Sequence, residues 1–236
     1  MAMPPAKRLR RAVRRTLAAP RDIRAAGGLR AWAFFLPGPG PWLMSWLRKR
    51  WAIYRNPRGH IQFRGVVYIG PGFSLHMPQG GTFIVGHGVE FRRGFRAELG
   101  PEARIEIGDL CTFTHDVIIS CDTSVTIEDR SILGQGAYVV DGNHKFRDPD
   151  RHFLDQGYVY RPIRIGPEAI VHSKCTIVND IGERAIIGAN SLIAKPIPAW
   201  CVAGGVPARV LDYYGPAGAE PPEWLERSAS STSTSG

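Results

Sequence analysis

Between Ile107 and Ile197 an apolar residue recurs at every sixth position, and the run is broken once, by Asp141-Gly142-Asn143-His144. The key residues are Ile107, Phe113 and Ile119, then Ile127, Leu133 and Val139; after the break come Ile165, Val171 and Ile177, then Ile181, Ile187 and Ile193. A Gly follows the key residue at 108, 134, 166, 182 and 188, and a small residue precedes it by two positions at Cys111, Ser131, Ala137, Ala169, Cys175, Ala185 and Ser191. Such a period is not that of a helix, and strand alternation alone would not demand a small residue at one fixed phase. It is the hexapeptide signature of an all-β fold, the parallel β-helix. Three hexads close a triangular coil, and each coil buries its key side chains only against its neighbours.

The chain of 236 residues suffices for one sizeable core, and no apolar run approaches the roughly 18 residues of a membrane span. Four Cys, at 111, 121, 175 and 201, show neither metal spacing nor a secreted framework, and two fill small inward positions of the repeat. Buried, reduced thiols in a cytoplasmic protein are expected. The net charge of +9 is unevenly spread: residues 1–58 hold fourteen Lys or Arg against one acid, Asp22, while the rest hold sixteen against twenty. The body is thus mildly acidic, which argues against a nucleic-acid surface.

The chain divides into three segments. Residues 1–58 form a basic, aromatic arm, helical over Lys7–Arg15, with Trp32, Phe34, Phe35, Trp42, Trp46 and Trp51 beside Arg48, Lys49 and Arg50. Residues 59–214 form the β-helix, its first coils irregular as in a terminal cap, and 215–236 form a tail whose Ser/Thr-rich end has nothing to bury. Two readings of the arm stand. It contacts the inner membrane face peripherally, with Trp at the interface and cations on anionic headgroups, or it packs on the β-helix or a neighbouring subunit.

The one large excursion, Asp141 to Arg161, is a 21-residue loop with no expected structure of its own in an otherwise regular body, and such loops usually carry function. It holds two imidazoles, His144 and His152, and His144 is the candidate base. The same residue is also read, more plainly, as a solvated loop His.

Three further segments extend the pattern. Pro162-Ile163-Arg164-Ile165-Gly166 follows the Asp-Gly-Asn-His loop and Gln156-Gly157. Next come Ile186-Ile187-Gly188-Ala189-Asn190-Ser191-Leu192-Ile193-Ala194-Lys195-Pro196-Ile197-Pro198, and Val202-Ala203-Gly204-Gly205-Val206-Pro207-Ala208-Arg209-Val210. With these, the stretch from about Ile105 to Val210 resembles the hexapeptide acyltransferases, in particular the maltose and thiogalactoside O-acetyltransferases and the polysaccharide O-acetyltransferases. The resemblance implies a left-handed β-helix, a homotrimer, and acetyl-CoA or a longer acyl-CoA in a groove between neighbouring prisms. It implies transfer of the acyl group to a carbohydrate hydroxyl, with His144 as the general base and no metal. If the arm binds membrane, the acceptor is a lipid-linked glycan.

Carried over residue by residue, the resemblance puts Asp122 at an acceptor-contacting Asp and Thr114 where relatives have an acceptor-contacting Asn. Asn143 is a candidate acceptor or His-orienting contact. Asp141 and Asp148 are candidates to orient His144, each readable as a turn residue instead. For the CoA, the matches are Ser173, Ala189, Ala194, Lys195 and Arg209: small residues leave room for pantetheine, and the cations meet phosphate. Two departures stand out. His172 replaces a turn Gly, and Ile177–Ile181 spans four residues where six are expected. The competing readings are a non-catalytic trimeric scaffold and a zinc hydratase of the carbonic anhydrase type. The second would draw on His115, His144 and His172, and its close His pair is absent here.

Overall fold

The six-residue repeat closes into stacked coils with three rows of parallel strands. The computed structural model of the chain describes residues 39–222, 224 and 225; the expected helix over Lys7–Arg15 and the Ser/Thr tail lie outside them. Contacts divide the chain into two units, Met1–Met44 and Ser45–Gly236, and all the coils belong to the second. Row one stacks His60–Phe63, Thr82–Val85, Arg104–Ile107, Ser124–Ile127 and Ile163–Ile165, and single bridges extend it through Ile181 to Ile197. Row two runs from Tyr68–Ile69 through Glu90–Phe91, Thr112–Phe113, Ile132–Leu133, Ile170–Val171 and Ile186–Ile187 to Cys201–Gly205. The antiparallel strand Ala208–Tyr213 closes that row. Row three stacks Ser74–His76, Arg96–Leu99, Ile118–Cys121, Tyr138–Val140, Thr176–Ile177 and Leu192–Ile193.

All twelve key residues stand in register in these rows and are at most 1% exposed. The small residues two positions earlier are buried beside them. All four Cys are free and buried, and burial pushes the Cys111 thiol up to about 12, which leaves it unreactive.

The register corrects the expectation of a single break. From row one to row two and from row two to row three the key residues are always six apart. The step from row three back to row one varies: ten residues from Leu75 to Val85 and from Ala97 to Ile107, then eight from Ile119 to Ile127. It is twenty-six from Val139 to Ile165, and four both from Ile177 to Ile181 and from Ile193 to Ile197. The shortened step noticed in the sequence is therefore the rule above the insertion. The first coils are also more regular than expected: their strands pair in register, and Pro78 and Gly80-Gly81 fall in the variable corner.

Apart from the first bend between rows one and two, at residues 64–67, the two invariant corners share one device, a single residue in the left-handed region. Between rows one and two these are Gly88, Leu110, Arg130, Glu168, Arg184 and Trp200; between rows two and three they are Gly72, Gly94, Asp116, Gly136, Lys174 and Asn190. Eight of the twelve carry a side chain, although that geometry costs an L-residue about 1–2 kcal/mol. Except for Gly72 in the first coil, their amides donate to the corner carbonyl of the coil before, as Leu110 does to His87 (2.7 Å) and Lys174 to Gln135 (2.7 Å). The corner is thus part of the coil-to-coil ladder.

From Ser45 onward, the helix Pro39–Arg55 covers the open end of the first coil, which has no earlier coil to pair with among the described residues. Ser45 donates its hydroxyl to Val67 (3.3 Å) and accepts from the Ile69 amide (2.8 Å), while Arg48 donates to the Ile69 carbonyl (3.0 Å). Just past the helix, Asn56 donates to the Leu75 carbonyl (3.1 Å) and accepts from the Met77 amide (2.9 Å). Polar side chains thereby satisfy backbone groups that would otherwise be an open sheet edge.

Above this cap the interior is aromatic. Phe91 lies 4.5 Å from Phe95, 4.8 Å from Phe113 and 5.2 Å from Phe73, ring centre to ring centre. Truncating it removes partners from all three. Phe91→Ala is expected to lower unfolding free energy by about 3–5 kcal/mol in urea denaturation, and a loss below about 1 kcal/mol would contradict this packing.

Candidate functional site

The twenty-six-residue step has structure of its own, contrary to the expectation of an unstructured loop. Gly142–His144 pairs antiparallel with Tyr158–Tyr160, setting His144 opposite Tyr158, and a short 3-10 turn, Phe153–Asp155, lies between them. The Tyr-Val-Tyr alternation was the available sign of the returning strand. Gln156 ties the hairpin together: its amide donates to the carbonyls of Asp148 (2.9 Å) and Arg151 (2.8 Å), and its oxygen accepts from the Asp148 amide (3.1 Å).

Asp141 and Asp180 anchor the two ends of the insertion. Asp141 is 3% exposed, and its carboxylate accepts from the amides of Asp122 (2.8 Å), Thr123 (2.7 Å) and Ser124 (3.0 Å) and from the Thr123 hydroxyl (2.8 Å). It therefore fixes the corner of the coil before. At the exit, Asp180 accepts from the Arg164 amide (2.8 Å) and pairs with Arg161 (3.4 Å). The Arg161 amide donates to the Asp141 carbonyl (2.7 Å), closing the neck of the hairpin. The roles of Asp180, Gln156 and the two tyrosines escape a reading of sequence, because an anchor at the exit has no spacing that marks it.

His144 is half-buried at the base of a cleft of about 480 Å³ shared with Lys145, Phe146, Arg147, Asp148, Arg151 and Val159. Its ring lies 4.4 Å from the Tyr158 ring and meets Phe153 edge-on at 5.6 Å. Nδ1 is buried and makes no hydrogen bond, so neither Asp141 nor Asp148 orients the ring through it. The Asp148 carboxylate accepts instead from the Asp150 amide (3.1 Å). Aromatic packing holds the imidazole, and leaving a polar atom unpaired costs about 1–3 kcal/mol, of the kind native folds tolerate at sites of chemistry.

Asp122 is exposed and lies against the root of the hairpin. A Cβ on Gly142 would stand 3.1 Å from its Oδ2 and 3.0 Å from the Tyr160 ring, so only glycine fits there without displacement. Partial burial and then the nearby Asp141 carboxylate hold the Asp122 carboxyl above its usual range. Burial and Asp122 likewise raise the Tyr160 phenol. Asp122 also borders a second cleft of about 300 Å³ with His76, Glu98 and Ser120.

The other expected site residues fall on two edges of the prism. Asp122, Asn143, His144, Ala194 and Lys195 belong to the variable corner after row three. Thr114, Ser173 and Ala189 stack along the invariant corner between rows two and three. Arg209 lies near them, opposite Gly204. Row three separates the two groups, and within one copy they are not brought together. Thr114 donates to the Leu133 carbonyl (3.1 Å); Ala189, Ala194, Lys195 and Arg209 are exposed and Ser173 is half-buried. Among the described residues no three His, Cys, Asp or Glu side chains gather as a metal would require, so the zinc reading finds no ligand set there.

No family model matches the chain. Among curated proteins it is 28% identical over 180 residues to a probable acetyltransferase of Mycobacterium tuberculosis, covering 72% of this chain and 57% of that one. It is 32% identical over 114 residues to the galactoside O-acetyltransferase of Escherichia coli, covering 46% of this chain and 54% of the relative. It is also 32% identical over 117 residues to the serine acetyltransferase of Haemophilus influenzae, covering 50% of this chain and 39% of the relative. The chain thus spans between two-fifths and three-fifths of the length of these relatives. Among solved structures, a mutant of AntD, an N-acyltransferase from Bacillus cereus in complex with dTDP-4-amino-4,6-dideoxyglucose and coenzyme A, superposes with a TM-score of 0.54 at 14% identity. That match covers 80% of this chain and 95% of that one. The resemblance to acetyltransferases read from the sequence is borne out, and so is the fold, a left-handed parallel β-helix of hexapeptide repeats.

The two carboxylates have opposite effects on stability. Asp141→Ala leaves three amides and a hydroxyl without their acceptor, and it is expected to destabilise the fold by about 2–4 kcal/mol in thermal or urea denaturation. Asp122 behaves the other way. Its folded pKa is raised, so the ionised form opposes folding at neutral pH. That cost fades as pH falls through the raised value and is gone below the ordinary carboxylate range near ~3.9. Asp122→Asn should match or exceed the parent in urea midpoint at neutral pH, with the gap closing in acid; a clearly less stable variant at neutral pH would contradict it.

Proposed function

We propose that the chain is a CoA-dependent acyltransferase that moves an acetyl or longer acyl group to a hydroxyl of a carbohydrate, with His144 as the general base. The single observation that carries this reading is the placement of His144. Of the two His in the large insertion of the hexapeptide β-helix, it is the one on an anchored hairpin strand at a cleft lined by cations, while His152 caps the 3-10 turn. The acetyltransferase relatives support the donor, and the sugar nucleotide bound by AntD supports a carbohydrate acceptor.

In this reading the body, residues 59–214, works as a homotrimer at the inner, cytoplasmic side of the cell. Trimer formation offers what one copy lacks. It would set the edge carrying Thr114, Ser173, Ala189 and Arg209 near a neighbour's edge carrying Asp122, Asn143, His144, Ala194 and Lys195. Small residues would line the pantetheine arm, and Lys195 and Arg209 would meet phosphate. Lys145, Arg147 and Arg151 suit an acceptor that itself bears phosphate. Asp122 contacts acceptor hydroxyls, and Asp141 acts at one remove by holding the Asp122 corner.

With Nδ1 enclosed, the chemistry runs through Nε2 of His144. Nε2 takes the proton from the acceptor hydroxyl as its oxygen bonds to the thioester carbonyl carbon. As the carbon–sulfur bond breaks, the imidazolium returns that proton to the CoA thiolate, and atoms and charge balance over the cycle.

A thiol-release assay crossing several acyl-CoAs with a sugar panel tests this. His144→Ala should lose about 10²–10⁴ of the rate while keeping circular dichroism and assembly unchanged; an unaltered rate would remove His144 from the mechanism. Absence of CoA binding by calorimetry would favour the non-catalytic scaffold instead.

A further inference from the structure

The helix Pro39–Arg55 is turned inside out. At 100° per residue, Ser45, Ala52 and the following Asn56 share one face, and it is these that are buried on the first coil, Ala52 by packing into the core and Ser45 and Asn56 by hydrogen bonds. The opposite arc carries Trp46, Arg50, Tyr54, Leu47 and Trp51. On it Trp46 is 55% exposed, Trp51 57% and Tyr54 75%. A helix serving only to cap a core would show the reverse pattern, apolar inward and polar outward.

Charge identifies what this arc is suited to meet. The helix contains Arg48, Lys49, Arg50 and Arg55 and no acid. Arg48 is spent on the Ile69 carbonyl, but Arg50 is exposed at the middle of the aromatic arc, and Arg55 lies over the Trp51 ring at 5.7 Å. A protein partner with an apolar face would gain nothing from an unpaired cation at its centre. The boundary layer of a bilayer takes both: Trp and Tyr rings settle at headgroup depth, and guanidinium groups meet lipid phosphate. No helix among the described residues is long and apolar enough to cross a membrane, so the contact is a surface one.

We propose that the outward face of Ser45–Arg55 docks on an anionic lipid surface. The same helix seals the first coil through its polar side, so docking would hold that end of the prism against the bilayer without unfolding the cap. This inference stands apart from the acyltransferase reading, and either can fail without the other.

The test is flotation of the full chain with phosphatidylcholine vesicles, with and without roughly one-third phosphatidylglycerol. Binding to the anionic vesicles and not to the neutral ones is expected. Trp46→Ser combined with Trp51→Ser should weaken it by on the order of tenfold or more, with an unchanged thermal midpoint because both rings face outward. Arg50→Gln provides a second variant and should weaken binding about fivefold. The proposal is overturned if the full chain stays with neither vesicle. It is equally overturned if the double Trp variant binds as tightly as the parent, or if light scattering shows the Trp face joining two copies while vesicle binding is absent.

Discussion

The backbone ladder between successive coils is the interaction on which the rest of the molecule depends. Each strand donates to the coil before or after it, and at the two tight corners a residue in the left-handed region continues the ladder around the bend. That requirement fixes the hexad. The chain must straighten for two inward-facing residues, turn through one left-handed position, and follow it with a residue small enough to lie flat beneath the next coil. Cys111, Ser131, Ala169 and Ala185 are those small residues, each directly after a left-handed Leu110, Arg130, Glu168 or Arg184. Eight non-glycine residues persist in a costly conformation because each gains a coil-to-coil hydrogen bond in return.

With two corners held to six residues, all freedom in chain length passes to the third. It varies from four residues to twenty-six without disturbing the register of any row. The candidate chemistry collects along this edge: Asp122, the His144 hairpin and the exposed Lys195. A side chain placed there is free of the ladder yet rooted in rigid coils, which is how loops on a firm scaffold carry function. Asp141 and Asp180 make the rooting explicit, since one binds the coil before the insertion and the other the coil after it.

The ends of such a stack pose a different problem, because a terminal coil leaves its ladder open. At the first coil the answer is a helix that spends Ser45 and Arg48 on backbone groups and so turns its aromatic residues outward. At the last coil, Ala208–Tyr213 folds back antiparallel on Cys201–Gly205 and completes row two by itself. The two ends are therefore chemically unlike, one aromatic and cationic and the other closed by its own strand.

The period from Ile107 to Ile197, read without a structure, was enough for the fold class, for the buried column, and for His144 as the residue standing outside it. These depend on local rules, six residues per side and one inward-facing residue per hexad, which a sequence displays directly. The tertiary structure decided what depends on distant partners. It turned a supposed loop into a hairpin locked by Gln156 and gave Asp141 to the Asp122–Ser124 corner instead of the imidazole. It also divided the expected site residues between two edges. The same holds for the first helix, whose charge and Trp content are visible in sequence. Only the open ladder of the coil it covers explains why the polar side is the buried one.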